Sequence, residues 1–297
     1  MIKLTHFVLA TSIIAFFSLP LFAKEQALSP AAVIENSTND EWRSLDLENT
    51  VILTLKTGDV VIALNPQLAP NHVANFKKLV REGFYNGLNI YRFVEGFVAQ
   101  GGDISEKKQP KTGSKTVNAE FTKETKSPIA IQLVDVNDGY ADKTGFLNGF
   151  AVAQNVTGTE TWQTHCIGNF AMARSNTINS GGTEFYVILG NHRYLDLNIT
   201  SFGRVVTGME HIQRLARKSE TTIEDVNFNP IVNFAVASDL ADSPAHDIEV
   251  MKTQSASFKQ YIESRRNRPE PWFQHQANYI DVCGFSVPMR SKKSLKG

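Results

Sequence analysis

A short stretch of sequence, YRFVEGFVAQGGD at residues 91–103, sets one arginine and one glutamine among apolar and aromatic residues. The alternation of side chains along a strand predicts that Arg92 lies on the face opposite Tyr91 and Phe93. A guanidinium is always charged and offers several N–H donors at fixed angles, so Arg92 can hold or polarise an amide without exchanging a proton. Gln100 can hold a peptide group in the same way without a charge. The pair could therefore bind a peptide backbone.

Apolar and aromatic residues in this strand and in later ones could form a pocket beside Arg92. These residues are Phe97, Val98, Tyr186, Leu195 and Phe202. Together with Arg92 they would bind an apolar ring that is joined to a polar backbone. The alternative is that Arg92 forms a surface ion pair and that the aromatic residues belong to the core. Residue types alone favour this alternative, because exposed arginines are far commoner than functional ones.

Eight short segments have the β-branched and aromatic composition of strands, and turn residues bound each of them. The first two flank Thr57-Gly58-Asp59, which is a hairpin signal. The other six are predicted at residues 90–94, 97–100, 170–174, 184–189, 201–206 and 231–237. The pattern predicts a mainly β fold, a closed eight-stranded antiparallel barrel, because closure leaves no unpaired sheet edge.

Two α-helices are predicted to cap this barrel. The first begins at Pro70, which suits the first helical position, and ends before Gly83, which suits a C-cap. Its apolar stripe consists of Val73, Phe76, Leu79 and Val80. The second helix is predicted in GMEHIQRLARK at residues 208–218, from the helical spacing of its apolar residues.

The barrel pattern occupies residues 48–240 and is interrupted at residues 104–167. This segment is rich in Lys, Thr, Asn and Gly and has one good strand candidate, at residues 128–134. A structureless connection of this length is uncommon in a compact domain. We therefore predict an insertion that folds back on the barrel or forms a hairpin of its own.

Two further segments flank the predicted domain. Residues 24–47 form an N-terminal lead, and residues 241–297 form a C-terminal extension with a predicted helix in SFKQYIESRR. The extension also contains aromatic residues that are unusual in a free tail, namely Trp272, Phe273 and Tyr279. We therefore expect the extension to dock on the domain.

The first 23 residues place Lys3 ahead of an uncharged apolar run that ends at Ala23. A short run of this kind after an early positive charge is typical of a secretory signal peptide. We expect cleavage near Ala23 and a periplasmic or secreted protein, with a retained membrane anchor as the alternative. Basic and acidic residues both number 30, so the composition excludes a polycation that would bind nucleic acid.

The only cysteines are Cys166 and Cys283. In an oxidising compartment they could form one disulfide. We expect instead two separate thiols, each packed as a small apolar residue, because the sequence alone does not show that their Cα atoms lie close together. The disulfide is the alternative. Two cysteines are too few for a typical structural zinc site.

Four blocks of the sequence resemble, in the same order, successive blocks of the cyclophilin family of peptidyl-prolyl cis-trans isomerases. The blocks are GDVVIALNPQLAPNHVANFKKLVREGFYNG, YRFVEGFVAQGGD, FAMARSNTINSGGTEFYVILG and YLDLNITSFGRVVTGME. The resemblance covers residues 48–240 apart from the insertion. It implies an eight-stranded barrel with two helices, no cofactor and no metal.

The resemblance also implies roles for individual residues. Arg92 matches the family's catalytic arginine, Gln100 the glutamine beside it, and Phe97 the aromatic floor of the proline pocket. The other positions that match substrate-binding residues are Val98, Ala173, Arg174, Glu184, Tyr186, Leu195 and Phe202.

Several positions depart from the family pattern. Glu184 replaces a substrate-binding glutamine, and Tyr186 replaces a phenylalanine. Tyr91 and Ile199 stand where many members have histidine, and Tyr194 replaces a tryptophan associated with cyclosporin binding. These departures bear on rate, substrate range and drug sensitivity rather than on the fold.

The resemblance implies an exported peptidyl-prolyl cis-trans isomerase that accelerates X–Pro isomerisation during protein folding. Its partners would be proline-containing segments of unfolded or partly folded proteins, and it would act as a monomer without nucleic acid. The alternative is a binding or chaperone module of the same fold, in which Glu184 weakens turnover while the insertion and the extension hold client proteins.

Overall fold

The computed structural model describes residues 27–217 and 228–292, so the expected signal peptide at residues 1–23 lies outside the described residues. The helices are α1 (Pro30–Glu35), α2 (Pro70–Arg81), α3 (Met209–Gln213) and α4 (Ala256–Arg266). The strands are β1 (Trp42–Ser44), β2 (Thr50–Leu55), β3 (Gly58–Leu64), β4 (Asn89–Val94), β5 (Val98–Gly102), β6 (Lys123–Glu124), β7 (Gln132–Val136), β8 (Lys143–Leu147), β9 (Phe150–Gln154), β10 (Glu160–Gln163), β11 (Asn169–Met172), β12 (Phe185–Ile188), β13 (Ser201–Thr207), β14 (Asn233–Val236), β15 (Ile248–Met251) and β16 (Met289–Ser291). None of the described helices is long and apolar enough to cross a membrane.

The largest sheet is antiparallel and curled, with eight strands in the order β14-β2-β3-β13-β11-β12-β5-β4. Among the described residues, the segment that leads into edge strand β14 bonds to the start of the other edge strand, β4: Ile90 N donates to Asn229 O at 2.9 Å, and Ile231 N donates to Leu88 O at 2.8 Å. Pro230 lies between these bonds and has no N–H to extend the ladder. The mainly β fold is confirmed, but the predicted closed barrel is corrected to an open, curled half-barrel.

The hydrophobic core of the half-barrel is covered by α2. The predicted stripe of this helix, from Val73 to Val80, is buried, and the Phe76 ring lies 5.1–5.9 Å from the rings of five other aromatic residues. Gly83 follows the helix with φ of +71°, a left-handed conformation that glycine adopts without strain. The second predicted helix is shorter than expected, because α3 ends at Gln213.

The insertion is more ordered than the sequence predicted. Its five strands form an antiparallel sheet of their own, in the order β6-β10-β9-β8-β7. Strands β8 and β9 are joined by Asn148 and Gly149, with φ of +49° and +92°. Two positive φ values in a two-residue loop are the signature of a type I′ hairpin turn. The prediction of one strand at residues 128–134 therefore missed most of this sheet.

The N-terminal lead and the C-terminal extension together form a third sheet, in the order β1-β15-β16. This sheet, helix α4 and the insertion share one hydrophobic core with the outer face of the half-barrel. The core includes Ile52 and Val61 from the half-barrel, Val134 and Phe146 from the insertion, and Val250 and Phe258 from the extension. Trp272 does not contribute as expected, because it is 80% exposed.

Cys166 and Cys283 form a disulfide, with Cα atoms 4.9 Å apart. The expectation of two separate thiols is therefore wrong. The pairing depends on the shared core, which brings the end of the insertion against the extension although 117 positions separate the two cysteines. The bond joins the half-barrel side of the molecule covalently to the C-terminal extension.

Candidate active site

A β-bulge in β4 determines which side chains face outward near Arg92. Asn89 pairs with Gly102 and Arg92 pairs with Gln100, so the interval in β4 contains one more residue than the interval in β5. As a result Ile90 enters the hydrophobic core together with Phe93, and the predicted alternation is wrong at Ile90. Tyr91 and Arg92 are both left outside the core, next to Gln100.

The β4–β5 hairpin brings Arg92, Phe97 and Gln100 together, as predicted. Arg92 Nη1 donates to Gln100 Oε1 at 3.2 Å, and the guanidinium carbon lies 5.6 Å from the centre of the Phe97 ring. Within residues 27–217 and 228–292, no carboxylate lies within 4 Å of Arg92. The neighbouring acid, Glu95, instead pairs with Arg217 at 2.8 Å. The alternative of a surface ion pair at Arg92 is therefore not found among the described residues.

The amide group of Gln100 is held by two further side chains. Gln100 Nε2 donates to the Tyr91 hydroxyl at 2.6 Å and to Glu184 Oε2 at 3.0 Å. The Tyr91 hydroxyl in turn donates a short hydrogen bond to Glu184 Oε2. Burial and the nearby Glu184 charge raise the pKa of Tyr91 well above its ordinary value, so the tyrosine stays a neutral donor. These bonds hold the amide nitrogen on the side of Tyr91 and Glu184. The carbonyl oxygen therefore lies on the other side, where it accepts from Arg92.

An apolar surface lies on the outer face of the same strands. Val98 and Tyr186 are buried there with Ala171 and Ile188, and three partly buried residues pack against them, namely Phe97, Ala173 and Ile199. The structure therefore brings together four of the predicted substrate-binding residues. Ile199 is an additional member, which the sequence identified only as a departure from the family pattern. The buried Tyr186 hydroxyl has no hydrogen-bond partner within the described part of the chain.

Two predicted pocket residues lie elsewhere. Phe202 is fully buried inside the half-barrel, with its ring 4.9 Å from that of Phe170. Its place in the pocket is a wrong prediction: in Ser201-Phe202-Gly203 only the phenylalanine can fill the interior at this level of β13. Leu195 is half-buried at the end of a short 3-10 turn and does not belong to the apolar cluster around Val98.

A polar cleft of about 450 Å³ opens beside Gln100. It is bordered by Ala173, Arg174 and Glu184 and by charged residues that follow β5, including Asp103, Glu106, Lys108 and Lys115. Arg174 is tied to backbone, since its Nε donates to Asn198 O at 2.9 Å and its Nη1 to Ser175 O at 2.8 Å. The site thus consists of an apolar surface and a charged cleft: Gln100 lines the cleft, and Arg92 lies against Gln100 and Phe97.

Known proteins resemble this chain across the half-barrel. The family model described as "Cyclophilin type peptidyl-prolyl cis-trans isomerase/CLD" matches residues 50–236. A "Probable peptidyl-prolyl cis-trans isomerase" of Brucella suis is 35% identical over 175 residues, which cover 59% of this chain and 75% of that protein. "Peptidyl-prolyl cis-trans isomerase A" of Dickeya dadantii is 28% identical over 214 residues, covering 69% of this chain and 87% of that protein.

A solved structure extends this similarity beyond the half-barrel. The crystal structure of the cyclophilin AquaCyp293 from Hirschia baltica matches with a TM-score of 0.67 and 32% identity. The match covers 84% of this chain and 93% of that one, which is more than residues 50–236 alone would give. The flanking segments of this chain therefore also have counterparts in a solved structure.

Proposed function

The chain belongs to the cyclophilin family and is a peptidyl-prolyl cis-trans isomerase, and from this premise we propose that it is an exported enzyme that accelerates X–Pro isomerisation during protein folding. We further propose that Arg92 and Gln100 are its catalytic residues. Its substrates would be proline-containing segments of unfolded or partly folded proteins. The enzyme would act as a monomer, which sedimentation of the purified protein would test.

The chemistry requires no bond to be made or broken. Amide resonance opposes rotation about the X–Pro bond with a barrier of roughly 18–20 kcal/mol. When the amide twists, its nitrogen becomes pyramidal and can accept a hydrogen bond. A group that binds the twisted state better than either planar state lowers the barrier, and each ~1.4 kcal/mol of this preference gives a tenfold higher rate.

The observation that carries the proposal is that Arg92 has N–H groups without a partner among the described residues. Gln100 holds one side of its guanidinium, and the remaining N–H groups make no hydrogen bond to the residues described. They are therefore free to donate to the proline nitrogen or to a flanking carbonyl of a bound peptide. The apolar surface of Phe97, Val98 and Tyr186 would hold the proline ring while the preceding carbonyl rotates. Ala173, Arg174 and Glu184, which border the cleft, would contact the peptide on either side.

An isomerisation assay on a short proline peptide tests this proposal. Loss of a donor that stabilises the transition state typically lowers the rate about a hundredfold or more, so we expect this loss for Arg92→Ala. Arg92→Lys should not restore the rate, because an ammonium lacks the fixed fork of a guanidinium. Arg214→Ala removes an exposed arginine and should retain wild-type activity. Equal activity of wild type and Arg92→Ala would exclude the proposed role.

Export is proposed from the sequence of residues 1–23 and is supported by the disulfide, since stable disulfides are typical of oxidising compartments. Expression in a host with a secretion pathway should give a mature protein that begins near residue 24, with Cys166 and Cys283 oxidised. Intact mass and thiol labelling would measure both. An uncleaved chain in the cytosol with reduced thiols would contradict export.

A second candidate function is the holding of client proteins. The observation that favours it is a set of exposed apolar side chains outside the half-barrel: Val136 at the edge strand β7 is 51% exposed, and Trp272 is 80% exposed. Clients with exposed apolar segments could bind such residues. Suppression of client aggregation should then survive Arg92→Ala but weaken in Val136→Ser/Trp272→Ser. The opposite pattern would assign the effect to the isomerase site.

A further inference from the structure

Two arginines that are far apart in sequence lie close together in space, where three parts of the chain meet. Arg43 comes from β1 in the N-terminal lead, Arg204 comes from β13 in the half-barrel, and the β8–β9 turn of the insertion lies beside both. A Cβ atom placed on Gly149 of this turn would lie 3.3 Å from Arg43 Nη2 and 3.9 Å from Arg204 Nη2. The two guanidinium groups therefore approach one side of the turn together.

Neither guanidinium forms an ion pair with a carboxylate of the described residues. Arg43 Nη2 donates to the backbone oxygen of Asn148 at 2.8 Å, and the bond that Arg204 makes, to Val205 O, is long at 3.4 Å. Among the residues described, no carboxylate lies within 4 Å of Arg43 or Arg204. Asp46 borders the same cleft, but it caps a 3-10 turn by accepting hydrogen bonds from residues 48 and 49.

This arrangement has an electrostatic cost. Burial and, to a smaller extent, the positive charge of Arg43 together lower the pKa of Arg204 to about 10. Burial also lowers the pKa of Arg43, although the negative charge of Asp46 opposes this shift. Arginine nevertheless stays charged at neutral pH, so two positive charges face one cleft in which Asp46 is the single acidic side chain among the described lining residues. An anion in the cleft would remove this cost and satisfy the free N–H groups.

The cleft has room for such a ligand, and its lining is mixed: apolar residues such as Leu45, Phe150 and Val250 form one part and polar side chains the other. Its volume is about 260 Å³, several times the roughly 30 Å³ of one water molecule. Besides the two arginines it is lined by side chains with amide groups, namely Asn49, Asn65, Gln67 and Asn148. Arginine binds carboxylate and phosphate groups through two parallel hydrogen bonds, which gives strength and orientation.

We propose that this cleft, lined by Arg43, Arg204 and the β8–β9 turn, is an oxyanion-binding site. The ligand is a phosphate-like or carboxylate group, supplied either by a free oxyanion or by an acidic segment of a bound polypeptide. Because the three sides of the cleft belong to the lead, the half-barrel and the insertion, the ligand would tighten the attachment of the appended segments. The site is independent of the isomerase chemistry at Arg92.

The test uses the purified mature protein with inorganic phosphate as the first probe. Calorimetry should give saturable binding, and the melting temperature should rise with phosphate more than with sodium chloride of equal ionic strength. Arg204→Met and Arg43→Met should each weaken binding about tenfold or more, as expected for the loss of a charged hydrogen-bond partner. Arg214→Met is the charge-matched control and should bind like the wild type.

A glutamate-rich peptide and its glutamine-rich counterpart form the second arm. Binding of the glutamate-rich peptide in place of phosphate, with the same loss in Arg204→Met, would support the site and identify a polypeptide as the source. If neither probe binds saturably, or if the wild type and both methionine variants respond equally, the proposal is overturned. Two separate variants keep the test decisive even if one of them fails to fold.

Discussion

Tyr91 donates a short hydrogen bond to the carboxylate of Glu184 across the sheet, although 93 positions separate the two residues in sequence. Both partners also accept from the amide nitrogen of Gln100. The Glu184 carboxylate therefore acts on another side chain of the site. It fixes the amide of Gln100, and the Gln100 carbonyl holds Arg92.

Removal of the Tyr91 hydroxyl should lower activity through Gln100. In Tyr91→Phe one amide hydrogen of Gln100 loses its acceptor, so the hold on Arg92 loosens, and we expect kcat to fall about threefold to tenfold with little change in KM. The kcat of the double variant Tyr91→Phe/Gln100→Ala should be no lower than that of Gln100→Ala alone. This cycle should give a coupling free energy of about 1 kcal/mol, as is typical of residues in one network. Fully additive losses would contradict the linkage.

Ile199 and Phe202 are close in sequence but should respond differently to substitution. Ile199 packs on the apolar surface of the site, so Ile199→Ala should raise KM about tenfold for a proline peptide. Phe202 lies in the interior, so Phe202→Leu should lower the free energy of unfolding by about 1–3 kcal/mol and leave KM unchanged. Steady-state kinetics and urea unfolding of both variants would test this. A raised KM in Phe202→Leu would show that Phe202 belongs to the substrate site after all.

Sequence patterns predicted the eight strands of the half-barrel well, because each strand has a local signal, but the open form of the sheet has none and closure was wrongly expected. The hairpin at Gly58, the α2 stripe and the helix in the extension all follow from residue type and spacing. Arg92, Phe97 and Gln100 could be grouped because they lie within one hairpin. The bulge that turns Tyr91 outward has no comparable signal, since it depends on the register between β4 and β5.

The insertion contains a local hairpin signal that the prediction of a single strand at residues 128–134 did not include. The segment FLNGF contains Asn-Gly between apolar residues, which is among the strongest local hairpin signals, and the β8–β9 turn lies at Asn148 and Gly149. The disulfide had no such signal. Its formation depends on the packing of the extension against the insertion, which is a long-range property that spacing alone does not reveal.

Loss of the disulfide should reduce stability far more than activity. A bond that closes a loop of 117 positions restricts the unfolded chain strongly, so Cys166→Ala/Cys283→Ala should lower the free energy of unfolding by about 3–5 kcal/mol. Neither cysteine contacts Arg92 or the apolar surface of the site. Urea unfolding of the wild type with and without reductant, beside the double variant, measures the loss. Well below the unfolding temperature, kcat/KM should stay within about twofold of the wild type, and a larger fall would link the extension to catalysis.

An ion-pair network between α2 and the end of the half-barrel should make stability depend on pH. Glu48 accepts from Arg81 at 2.8 Å and from Lys77 at 2.9 Å, and Arg81 also pairs with Asp239. The hydrogen bonds from Arg81 and then from Lys77 lower the pKa of Glu48 to about 2, below an ordinary value of about 4.3.

Because the folded-state pKa is depressed, the network stabilises the protein fully above about pH 4.3 and loses this contribution as the pH falls towards 2. Glu48→Gln should therefore lower the urea midpoint at pH 7 and have less effect at pH 3. Because Glu48 is half exposed, solvent limits the loss in free energy of unfolding to about 1 kcal/mol at most. Salt at 0.5 M should reduce this loss, as is typical of exposed ion pairs. Glu35→Gln, at an exposed position of α1, is the control and should leave the pH profile unchanged. An equal effect of Glu48→Gln at pH 7 and pH 3 would show that packing, rather than charge, gives Glu48 its role.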